Sequence, residues 1–98
     1  MRNFVIMYRP KKEDFDNTAT REDLDSTDRH FEYLKKKTAE GTVVLAGRTV
    51  AQRFGIAVIE TESEGEAREI MDNDPAVLEG VFNAELLPFR LALLRGGE

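Results

Sequence analysis

The chain has 98 residues, of which 41% are hydrophobic and 34% charged, and carries a formal net charge of −5; it is sized for one domain over residues 1–98 and must bury its small core efficiently. That acidity opposes binding to phosphate backbones, so nucleic acid is not an expected partner, and no run approaches the roughly 18 apolar residues of a membrane span. With no cysteine and one histidine, His30, disulfides, thiol catalysis and thiolate metal sites are excluded, and neither a metal site nor another cofactor is expected.

Met1-Arg2-Asn3 leads straight into Phe4-Val5-Ile6-Met7-Tyr8, a run too short for a signal peptide and followed by no small-residue cleavage site, so a cytoplasmic chain is expected. The same run is unbroken and β-prone, which predicts a first strand over residues 4–8, interrupted by Arg9-Pro10. Residues 11–23 are crowded with charge and hold one large apolar residue, Phe15. They read as a long solvated loop, of a length that is often functional in compact domains, such as a lid.

A helix is predicted to start between Thr20 and Ser26 and to run to Glu40. Leu24, Thr27, Phe31, Leu34 and Thr38 recur at intervals of three and four, which reads as the core-facing stripe, with His30 on its margin and Tyr33 on the solvent side. Glu32 and Lys36 are spaced for an ion pair, and Gly41 supplies the stop. Residues 42–50 and 54–60 are two β-branched runs joined across Ala51-Gln52-Arg53, as in an antiparallel hairpin. Ser63-Glu64-Gly65-Glu66 has the form of a capping box opening a second helix with Ala67, Ile70 and Met71 on its buried stripe. Pro75 disfavours helical geometry at Asp74, residues 76–79 read as a short turn closed by Gly80, and residues 83–94 as a last strand. Pro88 assigns that strand to an edge or a bulge.

Strand, helix, strand, strand, helix, strand is the ferredoxin-like βαββαβ order, an α+β fold with an antiparallel sheet and both helices on one face. Residues 43–46 and 56–59 are apolar without alternation, so both sheet faces favour leaving water, and two helices cover only one. A second copy packing sheet to sheet is therefore expected, giving a homodimer through the open sheet face.

His30-Phe-Glu-Tyr-Leu34 with Glu40-Gly41, then Leu45-Ala46-Gly47, Ala67, Asp72, Asp74-Pro75, Gly80-Val81 and Pro88-Phe89 stand in an order and spacing that resembles the YciI-like (YCII-related) family, from residue 3 to about 94. The resemblance implies a dimeric α+β barrel, in which two ferredoxin-like protomers pack their sheets together, as in muconolactone isomerases and dehalogenating lyases. It also implies a His-Asp dyad at His30 and Asp74. Two departures stand out: Arg48 occupies a place where many relatives have proline, and residues 9–23 are longer than in the shortest members.

A carboxylate on one ring nitrogen of an imidazole sets its tautomer and leaves the other nitrogen to take or give a proton. Without cysteine or a serine in a nucleophile elbow, proton transfer is favoured over covalent catalysis. The expected activity is a cofactor-independent lyase or isomerase acting on a small organic acid, with His30 as acid/base and Asp74 orienting it. The alternative is a non-catalytic ligand-binding or sensing module on the same dimer. Haem or metal-dependent oxygenase chemistry, with His30 as sole imidazole ligand, is a third and weaker reading. Arg48 is suited to clamping a substrate carboxylate, with Tyr8 a further substrate contact and Arg9 and Tyr33 more remote ones. Asp74 before Pro75 is also a good helix N-cap, a role compatible with holding His30, and Asp72 ranks below it.

Overall fold

The structure is a computed structural model that describes residues 1–50 and 54–96. The elements are β1 (Arg2–Pro10), α1 (Phe15–Thr18), α2 (Arg21–Ala39), β2 (Val43–Arg48), β3 (Gly55–Thr61), α3 (Glu64–Asp72), α4 (Pro75–Leu78) and β4 (Phe82–Pro88). They form one antiparallel sheet in the order β2-β3-β1-β4. Phe4, Ile6 and Tyr8 alternate onto one face of β1, opposite Ile59, Ala57 and Gly55 of β3, and the first five of these are buried. Leu34 from α2 and Ala67, Ile70 and Met71 from α3 join the same core. Both long helices therefore lie on one sheet face, the ferredoxin-like arrangement.

The hairpin joint at residues 51–53 lies outside the described residues, but β2 and β3 pair antiparallel as expected, with a register shift between Val43 and Leu45. Gly41 and Gly80 both have positive φ, +86° and +75°, where a β-carbon is strained, so each closes the helix before it. On the outer sheet face Val5, Met7 and Ile56 are half-buried, while Leu45 and Leu87 are exposed.

Several expectations need correction. Residues 11–23 are not one solvated loop: Phe15 is buried against Phe82, 6.2 Å between ring centroids, and a single anchored aromatic is enough to hold the one-turn α1. Lys12 bonds Asp23 at 2.6 Å and the Lys11 N–H donates to the Val81 carbonyl, tying the segment down at both ends. The long helix starts at the early limit of its predicted range because Thr20 and Asp23 form a reciprocal capping box. At Ser63 only one half of such a box forms, with the Glu66 N–H donating to the serine hydroxyl. The Glu32–Lys36 pair is not made; the ion pairs along α2 are Arg21–Asp25 and, at its end, Lys37–Glu40.

The stripe of α2 is also displaced. Leu24 and Phe31 are exposed, whereas Ser26 and Leu34 are buried and Tyr33 packs on the core. Tyr33 is thus not on the solvent side; its hydroxyl donates to the Ile70 carbonyl at 2.8 Å, bridging α2 to α3. The last strand ends at Pro88 rather than at residue 94, since proline offers no N–H to the ladder; β4 is an edge strand. One more bond, Phe89 N–H to the Asn3 carbonyl, follows it. No described helix is long and apolar enough to cross a membrane.

Replacing Thr20 by alanine removes the acceptor for the Asp23 N–H and is expected to destabilise the protein by about 1 kcal/mol in urea unfolding. An unchanged midpoint would show that the α2 start does not depend on this cap.

Candidate functional site: a buried His-Asp pair at a cationic cleft

Pro75 forces its predecessor out of helical geometry, so Asp74 sits extended at φ −64°, ψ 128° between α3 and α4. Its side chain is fully buried, and a buried carboxylate must be satisfied on both oxygens. Oδ1 accepts the Ala76 N–H at 3.0 Å, capping α4. Oδ2 lies 2.6 Å from Nδ1 of His30. The cap and the histidine contact therefore use different oxygens of one carboxylate, and the two readings of Asp74 are both realised.

His30 reaches Asp74 because α2 packs on α4. The adjacent residue Arg29 forms an ion pair with Glu79 just beyond α4, and its guanidinium holds the Glu79 carboxyl below the usual range. Exposed pairs of this kind add little energy; this one bridges α2 to the residue after α4, beside the His30–Asp74 contact. The imidazole is gripped further by two rings: Tyr8 edge-on at 4.8 Å and Phe82 edge-on at 5.1 Å between centroids. Its side chain is only 14% exposed. With the carboxylate as acceptor, Nδ1 carries the proton, a tautomer inferred from its partner. Nε2 bonds to no described residue, and His30 lines a cavity of about 630 Å³.

That cavity opens between α2 and the β2–β3 pair. Thr27, Phe31, Leu34 and Thr38 form its helical wall, so most of the stripe expected to face the core faces the cleft instead. The opposite wall is low because Ala46, Gly47 and Gly55 carry little or no side chain. A β-carbon on Gly55 would meet Gly47, Arg48 and Tyr8 in ordinary contact at 3.5 to 3.9 Å, filling space the cavity now occupies. Arg48 ends β2 on the cavity wall, its guanidinium donating a long 3.3 Å bond to the Thr49 carbonyl.

Tyr8 lines the same cavity and is 3% exposed, yet its hydroxyl has no hydrogen-bond partner among the described residues. Burial pushes the phenol well above its usual range, and the nearby Asp74 carboxylate adds to this. Tyr8 therefore stays protonated, a standing donor beside His30.

The structure thus brings His30, Asp74, Arg48 and Tyr8 to one place. It does not bring Arg9, which is exposed and stacks its guanidinium over Phe54 at 4.4 Å, nor Asp72, which is exposed at the end of α3. Tyr33 is held by Ile70 away from the cavity wall. Sequence reasoning missed Lys35 and Phe82, both of which line the cavity. Lys35 stands four residues after Phe31, a spacing that puts both on one helical face and was open to reading. Phe82 had no such signal, because its place opposite His30 follows from strand register. No group of three histidine, cysteine, aspartate or glutamate side chains is placed to hold a metal among the described residues.

The fold and site define a small ferredoxin-like α+β protein with a paired histidine at an open cleft. A family profile described as the YCII-related domain matches residues 3–90, and the chain belongs to that family. A search of curated proteins finds no match. Among solved structures the chain is similar to 5-chloro-2-hydroxyhydroquinone dehydrochlorinase (TftG) from Burkholderia phenoliruptrix AC1100, in complex with 2,5-dihydroxybenzoquinone. The TM-score is 0.68 at 18% identity, covering 91% of this chain and 95% of that one, a likeness of fold.

Both tyrosines are shifted upward, Tyr33 to about 12 by burial first and then by the charges of Asp74 and Glu40. At about pH 10.5, above the ordinary phenol value of about 10, absorbance at 295 nm is expected to stay low in the folded protein and to rise on unfolding in urea. Because the folded state holds these protons more tightly, the stabilisation they give is complete below about pH 10 and is lost as pH climbs through the folded values. A folded protein with half its phenolate signal near pH 10 would contradict the placement of both rings.

Proposed function

We propose that the protein is a cofactor-independent enzyme of lyase or isomerase type, in which His30 moves a proton on a small organic acid and Asp74 orients it. The observation that carries this reading is the 2.6 Å contact between His30 Nδ1 and a fully buried Asp74, with the histidine lining a cavity of about 630 Å³. Asp74 holds the Nδ1 proton, so Nε2 has its lone pair available for a substrate proton, and the carboxylate stabilises the imidazolium that results. As Nε2 takes a proton from a C–H or O–H group, the electron pair left behind forms the new double bond. Either a leaving group departs with its bonding electron pair and the imidazolium then gives its proton to that group or to water, or the imidazolium returns the proton at another carbon; both routes restore neutral His30. Arg48 takes the substrate's carboxylate, and the Tyr8 hydroxyl donates to an oxygen on which charge develops.

The name of the structurally similar protein, a dehydrochlorinase, fits this reading, because loss of HCl needs a base for the proton and room for the departing anion. Proton exchange is the direct test. Small acids incubated in D2O are followed by proton NMR for loss of exchangeable C–H signals. His30→Gln, which keeps a donor near Asp74, is expected to slow exchange or turnover by about 100-fold or more. A variant as fast as the native protein would overturn the assignment of His30, and ligand binding with no exchange or product from any acid would favour a non-catalytic binding module.

We infer also that the working unit is a homodimer joined through the outer sheet face. Val5, Met7 and Ile56 are half-buried there and Leu45 and Leu87 exposed, an apolar surface on the sheet face away from both long helices. Sedimentation at low micromolar concentration is expected to give a species near twice 11.1 kDa, and Leu45→Glu to shift it toward the monomer. A native monomer would refute the dimer while leaving the His30 reading untouched.

A further inference from the structure

The geometry points to a definite polarity for the ligand: its anionic group stays at the cavity mouth, between Lys35 and Arg48, while its uncharged, reacting end lies inside against His30 and Tyr8. This rests on the reading of the cavity as the substrate site, and adds to it a second cation and a direction.

Among the described residues two cations line the cavity beside His30, Lys35 from α2 and Arg48 from β2, and no acidic side chain does. Neither cation forms an ion pair among the described residues. The two cations come from different elements, α2 and β2, and converge on one cleft of a chain with 19 acidic and 14 basic residues.

Depth separates the charged groups from the catalytic pair. Lys35 and Arg48 are exposed, whereas Tyr8 is 3% exposed and the His30 side chain 14%. Lys35 follows His30 by five residues, which on a helix is about 7.5 Å along the axis and about 140° around it. His30 is thus on the inner edge of the helical wall and Lys35 on its rim, with Phe31 between them in sequence and lining the cavity.

The inner end makes the opposite demand. The Tyr8 hydroxyl is a buried donor with no hydrogen-bond partner among the described residues, and leaving such a group unsatisfied is unfavourable. It calls for a neutral or developing acceptor oxygen on the ligand. A full carboxylate placed there would stand near buried Asp74, whose charge repels it. Phe31, Leu34 and Phe82 supply the apolar walls between the two ends.

Phenylacetate and its uncharged counterpart phenylacetamide serve as probes, with affinities read from NMR titrations of the labelled protein. The native protein is expected to prefer the acid by about fivefold or more, a preference that added salt erodes. Lys35→Met and Arg48→Met, both at exposed positions that the core does not need, are each expected to reduce the preference, and together to abolish it. His30→Gln is expected to leave the preference in place, which separates this inference from the acid/base role of His30. A native protein that takes both probes equally, or neither, overturns the proposal. So does a preference that survives the double variant but vanishes in His30→Gln, since the carboxylate would then sit at the inner end.

Discussion

The carboxylate of Asp74 is the junction on which the site depends. It is fully buried, and each oxygen has its own partner: the Ala76 N–H at the start of α4 and Nδ1 of His30 on α2. Removing a carboxylate of this kind from water is costly unless it is bonded, so the fold places a backbone donor and an imidazole against it. The same bonds that make the charge tolerable give His30 its tautomer and its direction. Folding and chemistry thus share one constraint, with the break at Pro75 as its local cause.

Around that junction the packing is asymmetric. On one side of His30 the rings of Tyr8 and Phe82 are edge-on and close, and Phe15 from the short α1 backs Phe82. On the other side the sheet offers Ala46, Gly47 and Gly55, and the helix cannot close the gap left by residues with so little side chain. The imidazole is therefore held rigidly from behind and open in front. The unsatisfied hydroxyl of Tyr8 belongs to the same asymmetry, a polar group that the protein buries without supplying a partner. A buried hydroxyl left in this way is destabilising to the fold.

Much of the scaffold was legible in the chain. The apolar runs marked β1, β2 and β3; Gly41 and Gly80 marked helix ends; Ser63 marked the start of α3; and Pro88 marked an edge strand. What misled was periodicity read without a partner surface. Thr27, Phe31 and Thr38 have core-like spacing, yet they face a cleft, because a helix stripe shows which residues share a side and not what stands opposite. Tyr33, counted as solvent-facing, is drawn inward by the Ile70 carbonyl, a bond across 37 positions that no local pattern shows. Residues 11–23 hid a turn of helix because one buried aromatic, Phe15, outweighed the surrounding charge.

By itself the sequence determined the order of elements, the break at Asp74-Pro75 and the presence of a single imidazole, because these depend on local backbone preference and composition. Only the tertiary structure decided that Asp74 divides its oxygens between a helix cap and His30, and that Arg48 and Lys35 line one cavity while Arg9 and Asp72 stand apart. The reason is physical. Hydrogen-bond partnership and burial across 44 residues of chain are set by how α2 packs on α4 and on the sheet, a property of surfaces in contact rather than of neighbours in sequence.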